Sequence, residues 1–144
     1  MTTDSAAARR TGHDAVVSID LFFLAAGAHV VLELYAEWVH RLRCAVLDTD
    51  AVTAPSMRRA IEAYAACAGG RPGPAPVDVG LDHESRHYVD IVSRFAYRVR
   101  DDDVSALRQA GHTEDAIFEI TVSAALGSGL GRLDRGYAAL RGEL

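Results

Sequence analysis

From Ala116 to Leu130 the chain reads AIFEITVSAALGSGL, with Glu119 its only charged residue. Thr113 just upstream suits a helix N-cap. Glu114 and Asp115 stand where the positive end of a helix dipole favours acids. A helix that is apolar on nearly every side has to be covered by neighbours, so this segment is expected at the centre of the fold. Gly127, Gly129 and Gly131 resemble a phosphate loop only in composition. Such a loop follows a strand and opens a helix, whereas this run lies inside a helical pattern. Each glycine costs about 1 kcal/mol of helix propensity against alanine, so packing must compensate. Close approach of a second helix is the expected reason, and a ligand wall is the alternative.

The rest of the chain carries the same period. From Ser18 to about Leu47, Leu21, Leu24, Ala28, Val31, Tyr35, Trp38, Leu42 and Ala45 recur in steps of three and four. This heptad-like stripe predicts a long apolar N-terminal helix, capped by Ser18 and bent at Gly27, with surplus apolar surface for a core or a second subunit. Thr53 is expected to cap a second helix, with Pro55 in its first turn and Gly69 and Gly70 ending it. Met57, Ile61, Tyr64, Cys67 and Ala68 mark its inner face. "GGRPGPAPVDVG" is a linker. A third helix is expected from about Glu84 to Tyr97, lined by Tyr88, Ile91, Val92 and Phe95. A fourth, capped by Asp101, ends at Ala110, with Gly111 taking the left-handed position. No alternating strand pattern bounded by turns occurs, so the protein is expected to be all-α. Residues 1–14, small and polar, are expected to be disordered, and 15–144 to form a single helical domain.

Composition removes several function classes. The formal charge is -5, which gives nucleic-acid binding no electrostatic support. All 15 basic residues are arginine, so no lysine Schiff base and no P-loop lysine exists. Cys44 and Cys67 stand far apart with no CxxC, which leaves neither a local redox pair nor a cysteine zinc site. "VVSIDLFFLAAGA" follows Arg9 and Arg10 as a signal peptide would, but Asp14 and Asp20 interrupt it. The uncharged run from Asp20 to Glu33 is shorter than the roughly 20 residues that span a bilayer. A cytoplasmic protein without membrane contact is expected.

"HESRH" has the spacing of a zinc peptidase: His83 and His87 as ligands, Glu84 as base. Gly80 and Pro76 place His83 at or before the helix start, where the two imidazoles need not converge. Arg94 occupies the position of a third ligand. No metal and no other cofactor is expected.

The segment "AYRVRDDDVSALRQAGHTEDAIFEITVSAALGSGLGRLDRGYAAL" resembles the carboxymuconolactone decarboxylase / alkylhydroperoxidase-D-like family. The pattern is a helix, "LRxxG", a capped acidic turn, then a long helix rich in small residues; the resemblance covers residues 52–140. It implies an alkylhydroperoxidase-D-like helical bundle and a homo-oligomer. The redox members carry a glutamate, eleven residues, CxxC, three residues and a histidine. Anchored on "SALRQAG", those positions fall on Glu84, Ala96, Val99 and Asp103. Both sulfurs are missing, and peroxide reduction needs a thiolate nucleophile and a second thiol to resolve the sulfenic acid.

The expected function is therefore a non-redox binding or scaffold protein on that frame. The alternative is a cofactor-independent decarboxylase, isomerase or cyclase acting on a small organic molecule. Glu84 would be its acid or base, with Asp103 and His87 beside it and Tyr97, Glu119, Ala96 and Val99 lining the pocket. Glu119, an acid in the most apolar helix, should also be paired, with Arg94, Arg98 or Arg132 in reach. His112 is expected in solvent. The expected partners are a second copy, through residues 18–47, and a small-molecule ligand. A closed cavity with Glu84 or Glu119 pointing into it would favour the enzyme.

Overall fold

Proline at the start and glycine at the end mark the clearest helix of the chain, and the structure follows both signals. The structure, a computed structural model, describes residues 34–74, 76 and 80–143. The chain divides into two compact units, Met1–Leu42 and Arg43–Leu144. Helical residues 34–47 (α1) run across that division, and α2 is Pro55–Gly69, α3 His83–Phe95, α4 Asp101–Gln109 and α5 Glu114–Leu140. A short 3-10 turn, Ala96–Arg98, joins α3 to α4. Among the described residues there is no strand, so the all-α expectation holds for them.

The long apolar N-terminal helix is not found among the described residues. Its first part, with Ser18 and Gly27, lies outside them, as does the expected disorder of 1–14. Residues 34–47 are helical but mix apolar with charged side chains, and Trp38 is 55% exposed.

Helix ends follow backbone chemistry more than the first hydroxyl in sight. Pro55 opens α2, but its N-cap is Ala54 and not Thr53. Thr53 is diverted to Glu119 of α5. Gly70 closes α2 in the left-handed region at φ 106°, and its amide donates to the Cys67 carbonyl. Asp82 caps α3 by accepting from the Ser85 amide at 2.7 Å. Arg100, not Asp101, is the N-cap of α4, where Asp103 reaches back to the Arg100 amide at 2.8 Å. Gly111 takes the expected left-handed conformation at φ 97°. Thr113 caps α5 through the Ala116 amide.

The core of the second unit is built from Ile61 and Ala65 of α2, Tyr88, Val89 and Val92 of α3, Leu107 of α4, and Ile117, Ile120 and Ala124 of α5. α5 packs against α2, α3 and α4, most extensively against α2. Its burial is one-sided, however: Phe118 and Leu140 face out. The glycines explain the closeness of α2. A Cβ on Gly131 would lie 2.8 Å from the Ala66 carbonyl carbon, and one on Gly127 would lie 2.9 Å from that of Glu62. Both are backbone atoms that cannot swing aside. Gly129, on the opposite side, has open space beyond it.

Candidate functional site

The second half of α3 and the start of α4 enclose an open groove of about 320 Å³, lined by His87, Ile91, Phe95, Arg98, Arg100 and Asp103. Helical spacing puts His87, Ile91 and Phe95 on one stripe, four residues apart. The chain then turns through Ala96–Arg98 and brings Arg98, Arg100 and Asp103 round as the opposite wall. A second hollow of about 290 Å³ shares His87, Ile91 and Phe95 and is closed by Tyr64, Asp90 and Arg94. There Arg94 lies 3.6 Å from Asp90, and the Tyr64 hydroxyl donates to Asp90 at 3.1 Å. Burial, then the hydrogen bond to Asp90, raises the Tyr64 pKa above its ordinary value, so Tyr64 stays a phenol.

The residues singled out in the sequence are split by this geometry. His87 and Asp103 share the first groove. Glu84 does not line it. It sits in the first turn of α3 with a 45% exposed side chain, 3.8 Å from the His83 imidazole. Because α3 runs unbroken from His83 to Phe95, Glu84 and Ala96 are separated by roughly 18 Å along the axis at 1.5 Å per residue. The set Glu84, Ala96, Val99 and Asp103 therefore does not converge. Ala96 and Tyr97 are exposed, Tyr97 by 80%, while Val99 packs against the core.

Glu119 is paired, but with none of the arginines expected. Its carboxylate accepts from the Val52 amide at 2.8 Å, the Thr53 amide at 2.7 Å and the Thr53 hydroxyl, with Arg58 at 3.5 Å. Burial alone would raise its pKa. The hydrogen bonds from Thr53 and Val52 and the Arg58 charge together outweigh burial and hold the carboxyl below its ordinary value. Arg58, 1% exposed, is the hub of this node. It donates to the Leu47 carbonyl at 3.1 Å and to the carbonyls of Thr49 and Thr53. A cation there satisfies carbonyls at the end of α1 that would otherwise lack donors. One turn on, Glu62 is equally buried, bound by Arg43 at 2.8 Å and Arg71 at 3.5 Å. These carboxylates join the loop before α2, and α2 itself, to their neighbours.

A serine, a histidine and an aspartate also meet, unforeseen in the sequence. Ser85 Oγ lies 3.0 Å from His112 Nε2, and His112 Nε2 lies 3.1 Å from Asp82 Oδ2. A hydrolytic triad uses the two ring nitrogens separately, one for the nucleophile and one for the carboxylate. Here both partners share Nε2, Ser85 is fully buried, and its hydroxyl also donates to Asp82. The trio is a clasp between the start of α3 and the turn before α5. Burial pushes Asp82 up, but the Ser85 amide and His112 together lower its pKa below the ordinary aspartate value. His112 is thus partly buried, not in solvent.

Neither Cys44 nor Cys67 is in a disulfide. Among the described residues no group of three or more His, Cys, Asp or Glu is arranged to hold a metal ion, and no helix is long and apolar enough to cross a membrane. No family model matches the chain, and neither a curated protein nor a solved structure matches it.

Proposed function

We propose that this chain is a non-redox binding protein on an alkylhydroperoxidase-D-like helical frame. The observation that carries the reading is the state of its acids. Glu119 is consumed by three hydrogen bonds and an arginine, and Glu84 stands in solvent at a helix start, where acids stabilise the dipole without chemistry. The groove beside α3 offers a rim of arginines and an apolar floor but no serine, cysteine or lysine nucleophile. The resemblance puts Ala96 and Val99 at the positions where its redox members keep sulfur. Two cysteines outside any disulfide fit the reducing cytoplasm. Exposed Leu34 and Trp38 favour self-association through the N-terminal segment.

The acid–base enzyme is favoured by one observation only, the shared groove of His87 and Asp103. Asp103 already accepts a hydrogen bond from the Arg100 amide. The two readings separate in one experiment. Purified protein is mixed with tert-butyl hydroperoxide and a dithiol reductant, and separately with small organic acids under thermal-shift and product analysis. Binding without turnover is the expected result, unchanged in the Cys44→Ser/Cys67→Ser double variant. Thiol-dependent peroxide loss, or conversion of a bound acid that His87→Gln abolishes, would refute it.

A further inference from the structure

We propose that the groove between α3 and α4 binds an aromatic monocarboxylate, its carboxylate held by Arg98 and Arg100 and its ring laid on Ile91 and Phe95. This rests on the binding-protein reading and names its ligand class.

The argument begins with Arg98. Its guanidinium lies over the Phe95 ring at 4.8 Å and over the Tyr97 ring at 5.5 Å. Two aromatic rings hold it in place by cation–π attraction; they stand at 88° to each other, so it can turn its face to one of them only and keeps N–H donors along the rest of its edge. No hydrogen-bond acceptor or acid meets that edge among the described residues. The same holds for the Arg100 guanidinium. Of the three aspartates that follow it, Asp103 uses Oδ2 on the Arg100 backbone amide at 2.8 Å. Several other arginines are spent on acids, Arg43 on Glu62, Arg58 on Glu119, Arg71 on Asp134 and Arg94 on Asp90, while Arg86 lies over the Tyr64 ring and Arg132 donates to the Ser93 carbonyl.

Charge counting fixes the ligand's charge. Two guanidiniums and one carboxylate line the groove, an excess of one positive charge among those three groups. A monoanion neutralises it, and a dianion would overshoot and meet Asp103. Arginine favours planar oxyanions because its fork matches both carboxylate oxygens. Size and lining set the remainder. About 320 Å³ lies at the small end of ligand sites. Ile91 and half-exposed Phe95 offer an apolar floor on which a flat ring can stack.

The test is a calorimetric titration of the full chain with 1-naphthoate, against 1-naphthalenemethanol, which keeps the ring and lacks the charge. The acid is expected to bind one to one, the alcohol far more weakly, and the acid's affinity to fall as salt is raised. Arg98→Gln and Arg100→Gln should each weaken naphthoate on the order of tenfold, the loss of one charged hydrogen bond. Both side chains are exposed, and unchanged circular dichroism and melting would show that the variants fold. Naphthoate binding that both variants retain, or no naphthoate binding by the wild type, overturns the proposal. If naphthoate fails while other small molecules shift the melting temperature, the ligand class falls and the binding reading stands. Peroxide turnover in the same preparation would bring down the binding reading itself.

Discussion

Gly131→Ala and Gly129→Ala are the same chemical change two residues apart on one helix, and they should move stability in opposite directions. At Gly131 a new Cβ would sit 2.8 Å from the Ala66 carbonyl carbon and 2.9 Å from its Cα, where ordinary contact begins at 3.4 Å. Backbone cannot rotate out of the way, so α2 and α5 must part by at least about 0.5 Å along their widest contact. Overpacking of a tight core costs about 1–3 kcal/mol, and a clash with backbone belongs at the upper end. Alanine returns about 1 kcal/mol of helix propensity. The net expectation is a loss of about 2 kcal/mol. Gly129 has nothing within reach of its Cβ, so only the propensity gain of about 1 kcal/mol applies. At about 4 °C per kcal/mol for a domain of this size, the two variants should melt about 12 °C apart. Urea unfolding followed by circular dichroism gives the free energies directly. Equal midpoints, or a stabilised Gly131→Ala, would mean that α2 does not cross α5 at this glycine, and the account of the core would fail with it.

Two further outcomes follow from the polar node. Arg58→Met keeps bulk but strands the Leu47, Thr49 and Thr53 carbonyls and removes the positive charge beside Glu119; denaturant unfolding should show a loss of about 3–5 kcal/mol. Glu119 has a folded pKa below its unfolded value near the ordinary 4.5, so its contribution is complete above that value and is lost as pH falls through the folded pKa. Melting temperature should therefore drop as pH falls below about 4.5, and Glu119→Gln, about 1–3 kcal/mol less stable at neutral pH, should flatten that part of the curve.

Much of the helical frame was legible because its signals are local. Pro55, Gly70, Gly111 and Thr113 each act within a turn of themselves, and each sits where backbone geometry demands it. The small residues of α5 announced a close neighbour, since glycine in a helix is otherwise unfavourable. Which neighbour was not legible: Gly127 and Gly131 meet Glu62 and Ala66, more than sixty residues away, and no local pattern encodes that register. Cap errors have the same origin. Thr53 is a good N-cap by type, but Glu119 offered it a charged acceptor across the bundle, and a charge-assisted hydrogen bond outweighs a neutral cap. Periodicity misjudged α2 as well. Arg58 and Glu62 sit four apart on the buried face beside Ile61 and Ala65, where arginine and glutamate would ordinarily mark the wet side. A lone acid in the most apolar helix was the one available signal that some arginine had to be buried with it.

The candidate site shows the same limit more sharply. The family resemblance, anchored on "SALRQAG", put Glu84 with Ala96, Val99 and Asp103, and their convergence would need the chain to turn between them. α3 does not turn until Phe95, so an acid at its first turn and a wall beyond its last are held apart by the full length of the helix. His87 reaches the groove because it lies one turn further along the same stripe as Ile91 and Phe95. What the 3-10 turn assembles instead is Arg98 over two aromatic rings, with Arg100 following it. Arginine and aromatic residues alternating in "RFAYRVR" carried that possibility in the open. The pattern says nothing about its surroundings until the backbone turns it round on itself and brings the Arg98 guanidinium over Phe95 and Tyr97.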